Sequence, residues 1–460
     1  MPRPTALALA LTAAIAQAAS AQWVDLFNGH DLAGWTQVNG SAPYTVENGA
    51  IVGTYVSGSP NSFLATDRQF TDFVLEFEFK PDDDINSGVQ FRSQSTPDYQ
   101  NGRVHGPQYE IDPSGRAWSA GVYDEARRGW LYQTSLNPPA RSLLKHNNWN
   151  TARIECAGRS VRTWLNGEPV AHLIDDRAEP GFIALQVHAV SEGDPGEGEK
   201  IRWRNIRIWT GPVAPTPPTC EAGDAPIINL NPNQLSTAEA MQGWKLLFDG
   251  ETTNGWRGAH KDRFPESGWS IEDGVLRVAP SGGGESLNGG DIVTNDEYAA
   301  FELQLEFYPT PGANSGIKYF VTEGYLTPEQ KASAIGLEYQ ILDNERHPDA
   351  KLGVAGNRTM ASLYDLIPAD TFVQERQVPN YINGWNQARL VVYPDGRVEH
   401  WLNQFKVLDY VRGSGTYNAL VARSKYKDWK DFGLAKQGHI LLQDHGDDVR
   451  FRSIKIRELK

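Results

Sequence analysis

Two stretches decide the fold: Phe73-Val-Leu-Glu-Phe-Glu-Phe79 and Phe301-Glu-Leu-Gln-Leu-Glu-Phe307. Apolar residues recur at every second position, and side chains two apart on an extended chain share a face. Each stretch therefore reads as a strand with one face on a core and a carboxylate-bearing face turned outward. The flanks repeat as well. Phe27-Asn-Gly ahead of Gly34-Trp35 returns as Phe248-Asp-Gly ahead of Gly255-Trp256, and Val46-Glu-Asn-Gly49 returns as Ile271-Glu-Asp-Gly274. Asn86-Ser-Gly-Val89 returns as Asn314-Ser-Gly-Ile317, and Trp149-Asn150 as Trp385-Asn386. Trp164-Leu-Asn166 matches Trp401-Leu-Asn403, Leu185-Gln-Val-His188 matches Leu442-Gln-Asp-His445, and Arg202-Trp-Arg-Asn-Ile206 matches Arg450-Phe-Arg-Ser-Ile454. The order never changes, so the chain is one domain written twice.

A period this long is not that of a solenoid, whose units run to a few tens of residues. The other alternating runs are short, and Asn48-Gly49, Asn166-Gly167, Asp273-Gly274 and Asp395-Gly396 between them are hairpin signals. With no amphipathic helices between the strands, the expectation is an all-β chain of two jelly-roll β-sandwiches. The expected layout is a first sandwich over 22–210, a linker over 211–234 and a second sandwich over 235–460. Thr210-Gly-Pro-Val-Ala-Pro-Thr-Pro-Pro-Thr219 makes the linker Pro-rich and semi-rigid. Ser236-Thr-Ala-Glu239 fits a capping box and predicts one short helix ending near Gly243.

Residues 1–21 read as a signal peptide: Arg3, an apolar run from Ala6 to Ala16, and small residues at Ala19 and Ala21 before the cut. The expected location is periplasmic or secreted, with no membrane anchor. An exported protein can bridge its two cysteines, Cys156 and Cys220, but two cysteines fix no framework. With 43 Lys and Arg against 57 Asp and Glu, the net charge of −14 argues against a nucleic-acid partner. No cofactor is identified and no metal residue is assigned. Asp82-Asp83-Asp84 has the charge a calcium ion takes, but a charge run on a turn is ordinarily solvated.

The chemistry is sought where polar residues share a strand face in both copies. Gln108 and Glu110 stand two apart, as do Glu338 and Gln340, with the acid exchanged between positions. Gln186 and His188, and Gln443 and His445, also stand two apart. Histidine transfers protons near neutral pH. Lys318 and Tyr364 in the second copy, and Arg92 and Tyr123 in the first, have the donors to hold hydroxyl or carbonyl oxygens. Asn86, Asn314 and Asn403 join them as candidate contacts, and Trp130 as a stacking surface. Trp35, Trp256, Trp149 and Trp385 anchor the repeated framework and are expected in the core. Paired-carboxylate hydrolysis of the laminarinase type is rejected. Glu110-Ile-Asp112 begins its Glu-x-Asp-x-x-Glu pattern, but Gly115 stands where the last acid belongs, and Glu338-Tyr-Gln340 departs at once.

As an ordered set, these motifs resemble the 3-keto-disaccharide hydrolase family, over nearly all of the chain beyond residue 21. Gly243-Trp-Lys-Leu-Leu-Phe-Asp-Gly250 is an especially close likeness. The resemblance implies a concanavalin A-like jelly roll in each copy and an activity on oxidised sugars. It also implies a route that needs no carboxylate pair: a C3 ketone acidifies the C2 hydrogen, a base removes it, the enolate expels the C1 substituent, and water adds to the enone. On this reading Glu338 or His445 is the base in the second copy, with Lys318, Tyr364 or Gln443 on the enolate. The comparable set in the first copy is Glu110, His188, Arg92, Tyr123 and Gln186. Phe320 stands where the first copy has Arg92, so one copy could serve for binding alone. The alternative for the whole chain is a non-catalytic, lectin-like carbohydrate-binding protein.

Overall fold

The computed structural model describes residues 22–82, 85–213, 224–282, 284, 286–326, 332–373 and 376–460. Residues 1–21, where a signal peptide is expected, Asp83, Asp84 and Cys220 lie outside the described residues, and the disulfide question with them. Each copy is a sandwich of two largely antiparallel sheets. In the first, Phe73–Pro81 runs between Asn150–Ala157 and Lys200–Trp209. In the second, Phe301–Pro309 runs between Asn386–Val392 and Val449–Glu458. The two central strands share one burial pattern, residue for residue. Phe73, Leu75, Phe77 and Phe79 face one core; Phe301, Leu303, Leu305 and Phe307 face the other.

The outward carboxylates are bridged across strands. Glu76 meets Arg153 and Arg207, and Glu78 meets Arg204. Glu302 meets Arg389 and Arg457, and Glu306 meets Arg452. In the first copy this ladder is partly exposed and contributes little. In the second, Glu302 is almost fully buried, while the Glu306–Arg452 pair stays partly exposed. Burial alone would raise the Glu302 carboxyl, but the two guanidiniums outweigh it and hold the group down at about 2.

Hairpin geometry follows the Asn-Gly and Asp-Gly signals. Asn48 and Gly49 (φ 50° and 74°), Asn166 and Gly167 (53° and 90°), and Asp273 and Gly274 (51° and 75°) are left-handed at both positions. That is the type I′ geometry whose twist suits a two-residue hairpin. Trp35 and Trp256 are buried, and their indole N–H groups donate to Leu26 O and Leu247 O at 2.7 and 2.5 Å. Trp149 and Trp385 do not lie in the core. Each is half-buried on an outer face beneath a guanidinium, Arg204 at 3.9 Å and Arg452 at 4.0 Å from the ring centroid.

Pro215, Pro217 and Pro218 of the expected linker lie outside the described residues, and the described stretch that follows joins the first sandwich. Ile227–Asn229 adds a parallel strand beside Glu168–Ile174 of the first sandwich. Ser236 then caps helix Thr237–Met241 in a full capping box, and Gly243 follows at φ 84°. The box glutamate, Glu239, is fully buried and ion-paired with Lys455 of the last strand. The sandwiches meet through Trp118, which approaches Phe405, and Gln404, which accepts from Gln133 N at 2.8 Å and donates to Leu131 O at 3.1 Å. Among the described residues no helix is long and apolar enough to cross a membrane.

Candidate functional site

The repeated Asn-Ser-Gly builds the site in both copies. Its serine ties two strands: Ser87 Oγ donates to Gln186 O at 2.7 Å, and Ser315 Oγ to Gln443 O at 2.9 Å. Its glycine makes room. A Cβ on Gly88 would lie 2.3 Å from the Gln108 side chain, and one on Gly316 would lie 2.5 Å from Glu338 Oε1. Its asparagine reaches the next position on the same face. Asn86 Nδ2 donates to Glu110 Oε1 at 2.6 Å, and the Asn314 and Gln340 amides lie 3.2 Å apart. The motif thus seats one acid–amide pair on the sheet face opposite the core.

In the second copy that face belongs to the sheet of Trp256–Gly258, Ile292–Thr294, His439–Leu442, Asn314–Leu326 and Ala332–Leu342. Glu338 and Lys318 are direct cross-strand partners, and both are almost fully buried. Directly opposed residues point to the same side, so an ammonium and a carboxylate converge there. Lys318 Nζ also lies 3.7 Å from Asp291 Oδ2. In the orientation that satisfies its neighbours, the Gln340 amide nitrogen donates to Glu338 Oε1 at 2.9 Å and to Ser315 O at 3.1 Å. Tyr364 borders Glu338, and its backbone N–H donates to Glu338 O at 3.0 Å. Its hydroxyl donates to Asp349 Oδ2 at 2.8 Å. Burial, with Asp349 beside it, pushes this phenol far above its usual range. Burial works against Asp349, but Tyr364 and Arg358 hold it below the usual carboxylate range. Gln443 is buried on the adjoining strand end, and half-buried His445 sits at the end of the face, its Nε2 3.2 Å from Asn314 Nδ2.

In the first copy Glu110 takes the place of Gln340, and Gln90 that of Lys318. Glu110 accepts from Asn86, from Gln108 Nε2 at 2.9 Å, and from Arg116 Nη2 at 3.5 Å. Burial nevertheless dominates and raises its carboxyl to about 7. Tyr123 is the cross-strand partner of Gln108 and meets Trp130 edge-on at 5.2 Å. Arg116 lies over Trp130 at 5.1 Å. Gln186 is buried, and its amide finds no partner among the described residues. His188 is exposed and turned to Ala189 O at 2.8 Å.

Because folding raises the Glu110 pKa, the folded chain holds this proton more tightly than the unfolded one. The contribution is fully present below the ordinary value of 4.5 and is lost as pH rises through about 7. Between pH 5 and 8 it amounts to about 1–3 kcal/mol. Denaturant titrations at the two pH values should show a smaller difference in Glu110→Gln than in the parent.

Two expected contacts are corrected. Arg92 does not line the cleft. It occupies a bulge at φ 47° and is almost wholly buried, donating to Thr71 O at 2.5 Å, Gly158 O at 2.9 Å and Asp72 Oδ1 at 3.0 Å. Phe320 sits in the matching bulge, at φ 54°, with Arg412 stacked 3.7 Å from its centroid. Their exchange is a change in packing, not in the site. Arg92→Ala should lower unfolding free energy by about 2–4 kcal/mol in a denaturant titration, since three acceptors lose a charged donor. Asn403 is likewise structural: at φ 47° it closes a turn on the opposite sheet, donating to Pro379 O at 2.8 Å and Asn386 Oδ1 at 2.9 Å.

Other groups carry no repeat signal and come to the site only through folding. They are Asp291, Asp349, Arg116, Gln90, and the pair His347 and Asp447. His347, His445 and Asp447 place donor atoms within 4.8 Å of one another, a combination of metal-ligating type. The recess at the joint of the sandwiches offers less. Its charged groups Glu306, Arg389 and Lys455 are already in ion pairs.

The profile of the 3-keto-alpha-glucoside-1,2-lyase-like domain matches residues 22–209 and again 243–457. A 3-keto-disaccharide hydrolase of Bacteroides thetaiotaomicron is 41% identical over 237 residues, covering 47% of this chain and 79% of that protein. A solved structure from Parabacteroides distasonis, named only provisionally as a glycosyl hydrolase, is 29% identical with a TM-score of 0.43, covering 50% of this chain and 100% of that one. A carbohydrate-binding module from Bacillus subtilis is 18% identical with a TM-score of 0.28, over 38% of this chain and 95% of its own. The order of motifs, the twin sandwiches and the double profile match agree: the chain belongs to the 3-keto-alpha-glucoside-1,2-lyase-like family, whose domain it carries twice.

Proposed function

We propose that this protein is an exported enzyme that cleaves the glycosidic bond of 3-keto-glycosides or 3-keto-disaccharides, and that the second sandwich performs the reaction. The observation that carries this is the cross-strand pair of Glu338 and Lys318, both buried on one face. Glu338 is the base. It takes the proton from C2, and the electrons of that C–H bond move toward the C3 oxygen, leaving an enolate. The Lys318 ammonium stabilises that negative charge in a site largely closed to water. The enolate then reforms the ketone and a C1–C2 double bond forms, expelling the C1 oxygen substituent, which takes up the proton that Glu338 removed. Addition of water across the enone releases the 3-keto sugar. Tyr364, whose proton is held by Asp349, acts as a wall of the site. Gln443 and the Asn314–Gln340 amides orient hydroxyls.

In the first copy Gln90 replaces the lysine, and Glu110 is surrounded by Tyr123, Trp130 and Arg116. That set suits holding a sugar ring more than ionising its C2 hydrogen, so this copy is read as a carbohydrate-binding unit. The test is incubation of the full chain with 3-keto-glucosides and their unoxidised parents. Release of the aglycone from the keto substrates alone is expected. Failure to release it from any of them overturns the enzyme reading, and binding without turnover selects the lectin-like one.

A further inference from the structure

We infer that His347, His445 and Asp447 form a binding site for one divalent transition-metal ion at the rim of the second sandwich's cleft. The three donor atoms lie within 4.8 Å of one another. Two imidazoles and one carboxylate are a recurrent ligand set for such ions, and three protein ligands leave coordination positions open. The donors come from separate pieces of chain. His347 precedes the short 3-10 turn Pro348–Lys351. His445 and Asp447 follow strand His439–Leu442, which lies in the middle of the cleft sheet. The rings of the two histidines stand nearly perpendicular, with centroids 6.0 Å apart. All three residues are half-buried, so an ion can enter from solvent.

The surroundings hold the ligands in place. Asp447 Oδ2 accepts from Asn314 N at 2.9 Å, which leaves the other carboxylate oxygen for an ion. The Asn314 side chain touches His445 Nε2 and reaches Gln340, which in turn contacts Glu338. Hydrogen-bonded partners of this kind orient metal ligands and tune them. A neutral imidazole ligates through an unprotonated nitrogen. The 3.2 Å contact from Asp349 N to His347 Nδ1 is at the long end for a hydrogen bond and can be exchanged for the ion or kept by a turned ring.

The first copy does not repeat the set. Val190 stands where the second copy has Asp447, and His188 is turned to a backbone carbonyl. The site therefore marks the same copy that holds the Glu338–Lys318 pair. Resting on the proposed function, the ion's open positions suit the adjacent ketone and hydroxyl oxygens of a 3-keto sugar as a bidentate pair.

Binding is tested without turnover. The full chain, stripped with a chelator, is titrated with Zn2+ and separately with Mn2+ by calorimetry, and metal content after dialysis is measured. One equivalent per chain is expected for at least one ion. His347→Gln and Asp447→Asn should each weaken that binding at least 100-fold, while His188→Gln leaves it unchanged. Thermal melts confirm that the variants fold; His445→Gln replaces either one that does not. No stoichiometric binding of either ion, or binding that survives these substitutions, overturns the site. Stoichiometric binding in a protein that never turns over 3-keto-glucosides would uphold the metal site and remove the enzyme reading.

Discussion

Glu338→Gln should lower kcat on a 3-keto-glucoside by about 10²–10⁴-fold, the range a positioned general base contributes. The substitution preserves the shape of the side chain beside Gly316, where no Cβ competes for the space. It also preserves the contact with Gln340 and removes only the ability to take a proton. KM should therefore change far less than kcat, and the thermal midpoint should stay close to that of the parent. Glu110→Gln, made in the other copy, should leave kcat within a few-fold. The opposite result, with Glu110→Gln inactive and Glu338→Gln unaffected, would transfer the chemistry to the first sandwich.

Lys318→Met is the second large effect. The loss of a preorganised charge at the developing enolate costs about 10²–10³-fold in kcat. Methionine fills nearly the same volume on a strand whose other face lies in the core. Its neighbours Ile317 and Tyr319 are fully packed there. Activity should fall without loss of fold, and a better leaving group should recover little of the rate in Lys318→Met, because the missing charge raises the barrier to forming the enolate before the leaving group departs. The rate of Glu338→Gln should likewise respond little to the leaving group, because proton removal comes first. A strong leaving-group response in Lys318→Met alone would assign the two residues to different steps.

Much of the site was legible because it is local. Asn-Ser-Gly, Glu-x-Gln and Gln-x-His each lie within a few residues, and a period of two puts alternate side chains on one face whatever the distant chain does. The same logic failed at Arg92. Its position in the repeat matches Phe320, but a bulge turns its side chain toward Asp72 and Gly158, and a bulge leaves no mark on the alternation. Asn403 misled in another way. The repeated Trp-Leu-Asn belongs to a turn, and turn chemistry repeats between copies as faithfully as binding chemistry does. Trp149 and Trp385 repeat for a third reason, the shielding of an outer sheet face by a stacked arginine.

The sequence by itself determined that this is one β-sandwich fold used twice, and it located the strand faces that carry acids and amides. Both follow from short-range periodicity and from duplication, which need no knowledge of the third dimension. Only the tertiary structure decided which acids have partners. Strand pairing sets Lys318 opposite Glu338 and Gln90 opposite Gln108, and so separates two copies that look alike in one dimension. It also brings His347 to His445 and Asp447, nearly a hundred residues later in the chain. Burial raises Glu110 to about 7 while paired arginines hold Glu302 near 2. Carboxylates of one residue type are thus made chemically different by what the fold packs around them, because desolvation and neighbouring charge act through space and not along the chain.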